Sequence, residues 1–201
     1  MAAKVQFATV NFAEDLGDFV EWVRTAEDVG FDVIGYGDSQ NLWADLFVAL
    51  TLAAQNTRHA RIGSMVTNPM TRHPAVAAGG MASIQQLAGG RAFYGIGSGD
   101  SALRNIGVRA ATRAELEDYC LAFRDLCAGE QATWQGQTSD MKWRTQPVPI
   151  WLSAEGPRML DLAGRIADGV IVGNGVTTDV VRDSIARIRR AAEFAGRNPD
   201  E

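Results

Sequence analysis

The chain has 201 residues, of which 46% are apolar and 21% charged, and its net charge is −5. That length and balance suit a soluble globular protein with room for a sizeable core. The acidic charge argues against non-specific nucleic-acid binding, and no apolar run approaches the roughly 20 residues of a membrane span. The expectation is therefore a cytoplasmic protein with no nucleic-acid or membrane partner, and no signal peptide opens the chain.

An apolar strand followed by an amphipathic helix recurs along the sequence. Val5 to Val10 reads as the first strand, and Leu16, Phe19, Val20, Val23 and Ala26 recur at helical spacing before a stop at Gly30. "FDVIGYGDS" reads as strand and turn, followed by a helix from about Asp45 to Gln55. "ARIGSMV" is the third strand, and its helix starts near Pro74, a favoured first-turn residue, and stops at Gly89-Gly90. "RAFYGIGSGDS" is the fourth strand and turn, and the next helix opens with a capping box from Thr112 to Glu115. Residues 130–147 break the rhythm and read as a long polar excursion containing a short hairpin. "VPIWLSAEGP" resumes it, with Met159, Leu160, Ala163 and Ile166 on the following helix. "DGVIVGN" is the sixth strand, and the last helix presents Val181, Ile185, Ile188 and Ala192 before Gly196.

Repetition of this kind implies a parallel sheet. An open doubly wound sheet and a (β/α)₈ barrel both fit, although a barrel needs eight units and usually about 250 residues. Cys120 and Cys127 lie seven apart in a helical pattern, roughly 10 Å apart along its axis, which suits reduced core thiols and not a disulfide. With His59 and His73 as the only histidines, no zinc site and no other metal site is expected.

In both architectures ligands bind beyond the carboxyl ends of the strands. The residues there are Asn11; Asp38 and Ser39; Thr67 and Asn68; Ser98, Gly99 and Asp100; Ser153 to Gly156; and Gly173 and Asn174. They offer hydroxyls, amides and carboxylates, which suit a polar, phosphorylated cofactor, and no cysteine nucleophile. "GIGSGDS" fails the dinucleotide fingerprint, because the third glycine would fall at Asp100. Gly95 and Gly97 fit close strand packing as well as a ligand, whereas Gly99 lies past the strand, where its amide can face one. "SAEGPRML" opens a helix with a glycine and a proline, so free amides near Gly156 to Met159 can meet a phosphate, with Arg158 adding charge. His73 reads as a structural hydrogen-bonder, Arg72 as a bridge to Glu27 or Asp38, and Asp38 as a helix cap or a site residue. Trp43 and Trp151 are the tryptophans nearest the expected loop and strand ends.

"GYGDS", "VTNPMTRHP", "GRAFYGIGSGDSAL" and "RMLDLAGRIADGVIVGN" together resemble the luciferase-like monooxygenase superfamily, in its coenzyme F-420-dependent oxidoreductase branch. The resemblance runs from Val5 to Glu201. It implies an α/β fold of the (β/α)₈ TIM-barrel type, here a single domain over 1–201 that appears as six units and lacks the last two. It also implies a bulge after the third strand with a cis peptide between Met65 and Val66 behind a deazaflavin ring. On the same grounds Asp38 and Asp100 are catalytic candidates. Ser39, Met65, Val66, Thr67, Asn68, Ser98 and Gly99 are cofactor-binding candidates, and Ala154, Glu155 and Gly156 form the phosphate turn. Relatives with a histidine after the aspartate at the second strand end differ from this chain, which has Ser39. The implied activity is hydride transfer between coenzyme F-420 and a small organic substrate by a homodimer or larger assembly. An FMN-dependent monooxygenase and a shortened, non-catalytic cofactor-binding protein are the alternatives.

Overall fold

The computed structural model describes residues 5–143, 145–173 and 175–200. In chain order the elements are β1 (Ala8–Asn11), α1 (Leu16–Asp28), β2 (Val33–Tyr36), α2 (Leu46–Asn56), β3 (Arg61–Ser64), α3 (Pro74–Leu87) and β4 (Ala92–Ile96). Then come α4 (Ser101–Arg104), α5 (Arg113–Ala128), β5 (Ala132–Trp134), β6 (Gln137–Ser139), β7 (Ile150–Ala154), α6 (Pro157–Ile166), β8 (Gly169–Val172) and α7 (Thr178–Phe194). The excursion holds the expected hairpin, β5–β6, and the short helix α4 is an element the sequence pattern did not mark. Asn174 lies outside the described residues.

Strand order decides between the two architectures. The six-stranded sheet runs β1-β2-β3-β4-β7-β8, and every neighbouring pair is parallel. A doubly wound sheet reverses its order at a switch point. This sheet never does, and the long helices pack in chain order, α1 on α2, α2 on α3, α3 on α5, α5 on α6 and α6 on α7. One helical layer therefore wraps one face of the sheet, which makes a half-barrel whose other face is concave.

The core lies between sheet and helices. Val33–Tyr36 and Ala92–Ile96 are buried along their whole length, because helices cover one face and neighbouring strands curl over the other. Tyr94 stacks on Phe123 at 4.2 Å, and Phe19 meets Tyr36 edge-on at 4.9 Å. Each such buried aromatic contributes roughly 1.5–3 kcal/mol of hydrophobic stabilisation. Cys120 and Cys127 are both buried and unpaired. On the concave side Phe93 stacks on Trp151 at 4.0 Å, so Trp151 belongs to the barrel interior and not to the ligand rim. Gly95 is needed at a close strand crossing: a Cβ there would sit 1.9 Å from the Ser64 carbonyl oxygen.

Local capping follows the sequence closely. Asp15 and Asp45 cap α1 and α2, and the Thr112/Glu115 capping box opens α5. His73 caps α3 through Nδ1, which accepts from the Ala75 amide at 3.1 Å. Glu27 accepts the backbone amides of Arg58, His59 and Ala60, tying α1 to the start of β3. It is therefore not the partner of Arg72.

Two expectations shift. β1 covers Ala8–Asn11 and not Val5 to Val10, because its pairing with β2 begins at Ala8 opposite Val33. On α7 the stripe through Val181 and Ile185 is 40% and 48% exposed, although its spacing reads as a core face. Gly164 of α6 lets the backbone of α7 approach so closely that a Cβ there would lie 2.3 Å from the Ile188 carbonyl oxygen. The contact line consequently runs through Ser184, Ile188 and Ala192, rotated away from Val181 and Ile185.

Candidate functional site

The carboxyl ends of β2, β3, β4 and β7 open into a cavity of about 520 Å³. Four separated stretches of sequence build its wall: Gly37 to Ser39, Met65 to Asn68, Gly97 to Ala102, and Ser153 with Glu155 and Gly156. Phe12, Trp43 and Met159 close the sides.

The segment after β3 is held by three devices. The peptide between Met65 and Val66 is cis. The Thr67 amide donates to the Gly95 carbonyl at 2.9 Å, and the Thr67 carbonyl accepts from the Gly97 amide at 2.9 Å, which ties the bulge to β4. Asn68 folds the chain after it, its Oδ1 accepting from the Met70 and Thr71 amides at 2.9 and 3.0 Å. Its Nδ2 then has no partner among the described residues and remains a donor at the cavity wall.

Behind the bulge lies a buried ion pair. The Arg72 guanidinium meets both oxygens of Asp38 in a fork, and the Thr67 hydroxyl donates to Asp38 Oδ2. The Asp38 side chain is 3% exposed and Arg72 15%. Burial pulls the Arg72 pKa down, and the hydrogen bond and charge of Asp38 more than offset it, so Arg72 stays above its usual value. Arg72 also lies 5.0 Å from the centre of the Phe47 ring. Asp38 is thus an acceptor whose oxygens are already engaged by protein donors. The cap of α2 is Asp45, so Asp38 is not a helix cap.

Asp100 stands in the opposite situation. It precedes α4 without capping it, its side chain is 80% exposed, and it pairs with Arg104 at 3.1 Å. The loop that carries it is fastened across the cavity mouth to the β2 turn. Ser39 Oγ lies 2.6 Å from Ser101 Oγ, and Gln40 Nε2 donates to the Ala102 carbonyl at 2.9 Å. Gly99, with φ +98°, makes the turn, and Leu103 fills the space beside it that a Cβ would need.

At the fourth wall, Gly156 is the N-cap of α6 and provides no side-chain cap. The amides of Gly156 and Arg158 accordingly have no acceptor among the described residues, and a Cβ at Gly156 would meet nothing within 4 Å. Uncapped amides, a helix dipole and open space in front of them suit a phosphate. Glu155 is exposed and lies against Gly173.

The sequence matches the luciferase-like monooxygenase family over residues 2–201. The chain belongs to that family. A 5,10-methylenetetrahydromethanopterin reductase from Methanolobus tindarius is 33% identical over 187 residues, covering 90% of this luciferase-like chain and 57% of the relative. An F-420-dependent glucose-6-phosphate dehydrogenase from Nakamurella multipartita is 29% identical, covering 98% of this chain and 65% of the relative. Among solved structures, the coenzyme F-420-dependent tetrahydromethanopterin reductase from Methanopyrus kandleri superposes with a TM-score of 0.86 at 27% identity, over 98% of this chain and 63% of that one. The chain therefore spans between 57% and 65% of the length of these relatives.

The structure gathers eleven of the twelve residues singled out from the luciferase-like motifs around one cavity: Asp38, Ser39, Met65, Val66, Thr67, Asn68, Ser98, Gly99, Asp100, Glu155 and Gly156. Ala154 is buried at the end of β7 behind the turn and does not line the cavity. Asn11 likewise stays in β1, its carbonyl accepting from Gly37. Sequence reasoning missed Phe12, Ser101 and the side chain of Met159, which it offered only as a backbone amide. Only Ser101 left a trace, as the hydroxyl after Asp100 in "GDSAL". Phe12 and Met159 reach the cavity through chain packing that no local pattern encodes.

Proposed function

We propose that this chain is an oxidoreductase that moves a hydride between coenzyme F-420 and a small organic substrate. One observation carries the reading: the uncapped start of α6 and the donor-rich bulge after β3 open into the same cavity, in a chain one-third identical to a methylenetetrahydromethanopterin reductase. When bound, the deazaflavin supplies the hydride chemistry.

The protein's part is geometry. The turn at Ala154, Glu155 and Gly156 would hold the phosphate through the Gly156 and Arg158 amides, with the exposed Arg158 side chain beside them. Met65 and Val66 would back the ring, and Thr67, Asn68, Ser98 and Gly99 would direct donors and carbonyls to its polar edges. Asp38 would position this wall through Thr67 and Arg72 without exchanging a proton. Asp100, exposed at the mouth beside Arg104, would be the carboxylate that moves a proton to or from the substrate. Ser39 would keep the Asp100 loop in place. The buried, unpaired thiols suit a cytoplasmic protein. A homodimer is part of the same reading, supported by exposed Phe7 and Val48 along the early elements.

The test is a titration of coenzyme F-420, and of FMN in parallel, followed by cofactor fluorescence. The wild-type chain is expected to bind F-420 more tightly than FMN. Gly156→Leu is expected to fold normally, because the new side chain enters open space, and to lose about 1–3 kcal/mol of cofactor affinity by filling the phosphate position. Unchanged affinity in the folded variant overturns the phosphate assignment, and tighter binding of FMN overturns the choice of cofactor.

A further inference from the structure

Among the described residues, the cavity wall carries Asp38, Asp100 and Glu155 but no lysine or arginine. Among the described residues three arginines come near it, and each is committed elsewhere. Arg72 forks onto Asp38 from behind the wall and reaches Asp45 on its far side. Arg104 is 70% exposed and faces Asp100 from the solvent side. Arg158 belongs to the turn at Gly156, on the cofactor side of the cavity. Across from that turn, Phe12 and Trp43 form an aromatic corner, with ring centres 4.9 Å apart and planes tilted by 52°. Asp100 and the Ser39/Ser101 hydroxyl pair stand on the same side of the mouth.

A phosphate or carboxylate entering this corner would give up water and find, among the described residues, no uncommitted cation and no free helix start in exchange. It would also approach Asp100, a carboxylate whose one charged partner among the described residues is the solvent-exposed Arg104 at 3.1 Å. An uncharged group loses little there, and a cation gains both the carboxylate and the faces of the aromatic rings. We propose that the substrate side of the cavity takes a compound that is uncharged or cationic at its reacting end, and rejects phosphorylated and carboxylate substrates. The proposal rests on the cofactor reading only for which half of the cavity is left to the substrate. It separates this chain from a relative such as the glucose-6-phosphate dehydrogenase, whose name specifies a phosphorylated sugar.

The experiment uses the full chain and measures probe binding by saturation-transfer NMR, at fixed ionic strength, with and without saturating coenzyme F-420. The probes are benzyltrimethylammonium, benzyl alcohol, benzoate and glucose 6-phosphate. Affinity is expected to fall in that order, with the ammonium probe ahead of benzoate by about two- to fivefold, the scale of one partly exposed cation–aromatic contact. Asp100→Asn, an isosteric change at an exposed position, is expected to narrow that ratio, and Trp43→Ala to weaken the ammonium probe and the alcohol together. Benzoate or glucose 6-phosphate binding as tightly as the ammonium probe overturns the proposal. So does an unchanged ratio in Asp100→Asn, or no binding of the ammonium probe at millimolar concentration. The two readings fail separately. A chain that does not bind F-420 yet ranks ammonium over benzoate loses the cofactor assignment alone, and one that binds F-420 yet prefers benzoate loses the charge rule alone.

Discussion

Removing Asp38 should cost far more than its single negative charge suggests, because the loss strands a buried guanidinium. In Asp38→Ala, Arg72 keeps only Asp45, at 3.5 Å and 52% exposed, and the Phe47 ring. Breaking one side of a buried ion pair costs about 3–5 kcal/mol, and the residual Asp45 contact puts this case at the low end, about 3 kcal/mol. Arg72→Met should cost a similar amount, since it leaves Asp38, 3% exposed, with the Thr67 hydroxyl alone. The double variant removes both desolvated charges together. It should therefore lose about 3–4 kcal/mol and not the sum of about 6, a coupling of about 2–3 kcal/mol. Urea unfolding followed by far-UV circular dichroism measures all four corners of the cycle, provided the slopes agree. If the single losses add to within about 0.5 kcal/mol, Asp38 and Arg72 are independent, and the pair does not hold the bulge wall.

Three further outcomes follow from local geometry. Gly95→Ala places a Cβ 1.9 Å from a backbone oxygen and should destabilise by about 3 kcal/mol or more, whereas Gly156→Ala, with nothing within 4 Å, should leave the melting temperature unchanged. Burial pushes the Cys120 and Cys127 thiols up to about 12, so neither should react with iodoacetamide at about pH 8 until the chain unfolds, and rapid alkylation of the folded protein would contradict their placement. Arg109 and the Thr112 amide and hydroxyl hold Glu115 at about 2 against an ordinary 4.5. A depressed carboxylate stabilises above its unfolded pKa and loses that contribution as pH falls through its folded value. Glu115→Gln should therefore be less stable than wild type at neutral pH and converge with it towards about pH 2, and parallel acid-unfolding curves would refute the assignment.

Local chemistry was legible in the sequence wherever a backbone group had to be satisfied within a few residues. Pro74, the Thr112/Glu115 box and the turn glycines mark helix ends because capping is a contact between near neighbours. The alternation of strand and helix implied the parallel sheet, and the motifs around Thr67-Asn68-Pro69 and Gly97-Ser98-Gly99 pointed to loops that meet at one cavity. The sequence could not choose between an open sheet and a barrel, since both repeat the same unit. Only the strand order, which never reverses, made that choice.

The surroundings of the two carboxylates were decided the same way. Asp38 and Asp100 both follow strands and look equivalent along the chain. Arg72 is 34 residues from Asp38, yet folding brings its guanidinium onto that carboxylate and leaves Asp100 in solvent. Val181 and Ile185 likewise carry a helical apolar pattern, but Gly164 on the preceding helix sets which side of α7 is buried. Periodicity and capping are properties of neighbours along the chain, so the sequence alone determines them. Which carboxylate is paired, and which apolar face is covered, depends on groups that meet only when distant segments pack, and that belongs to the tertiary structure.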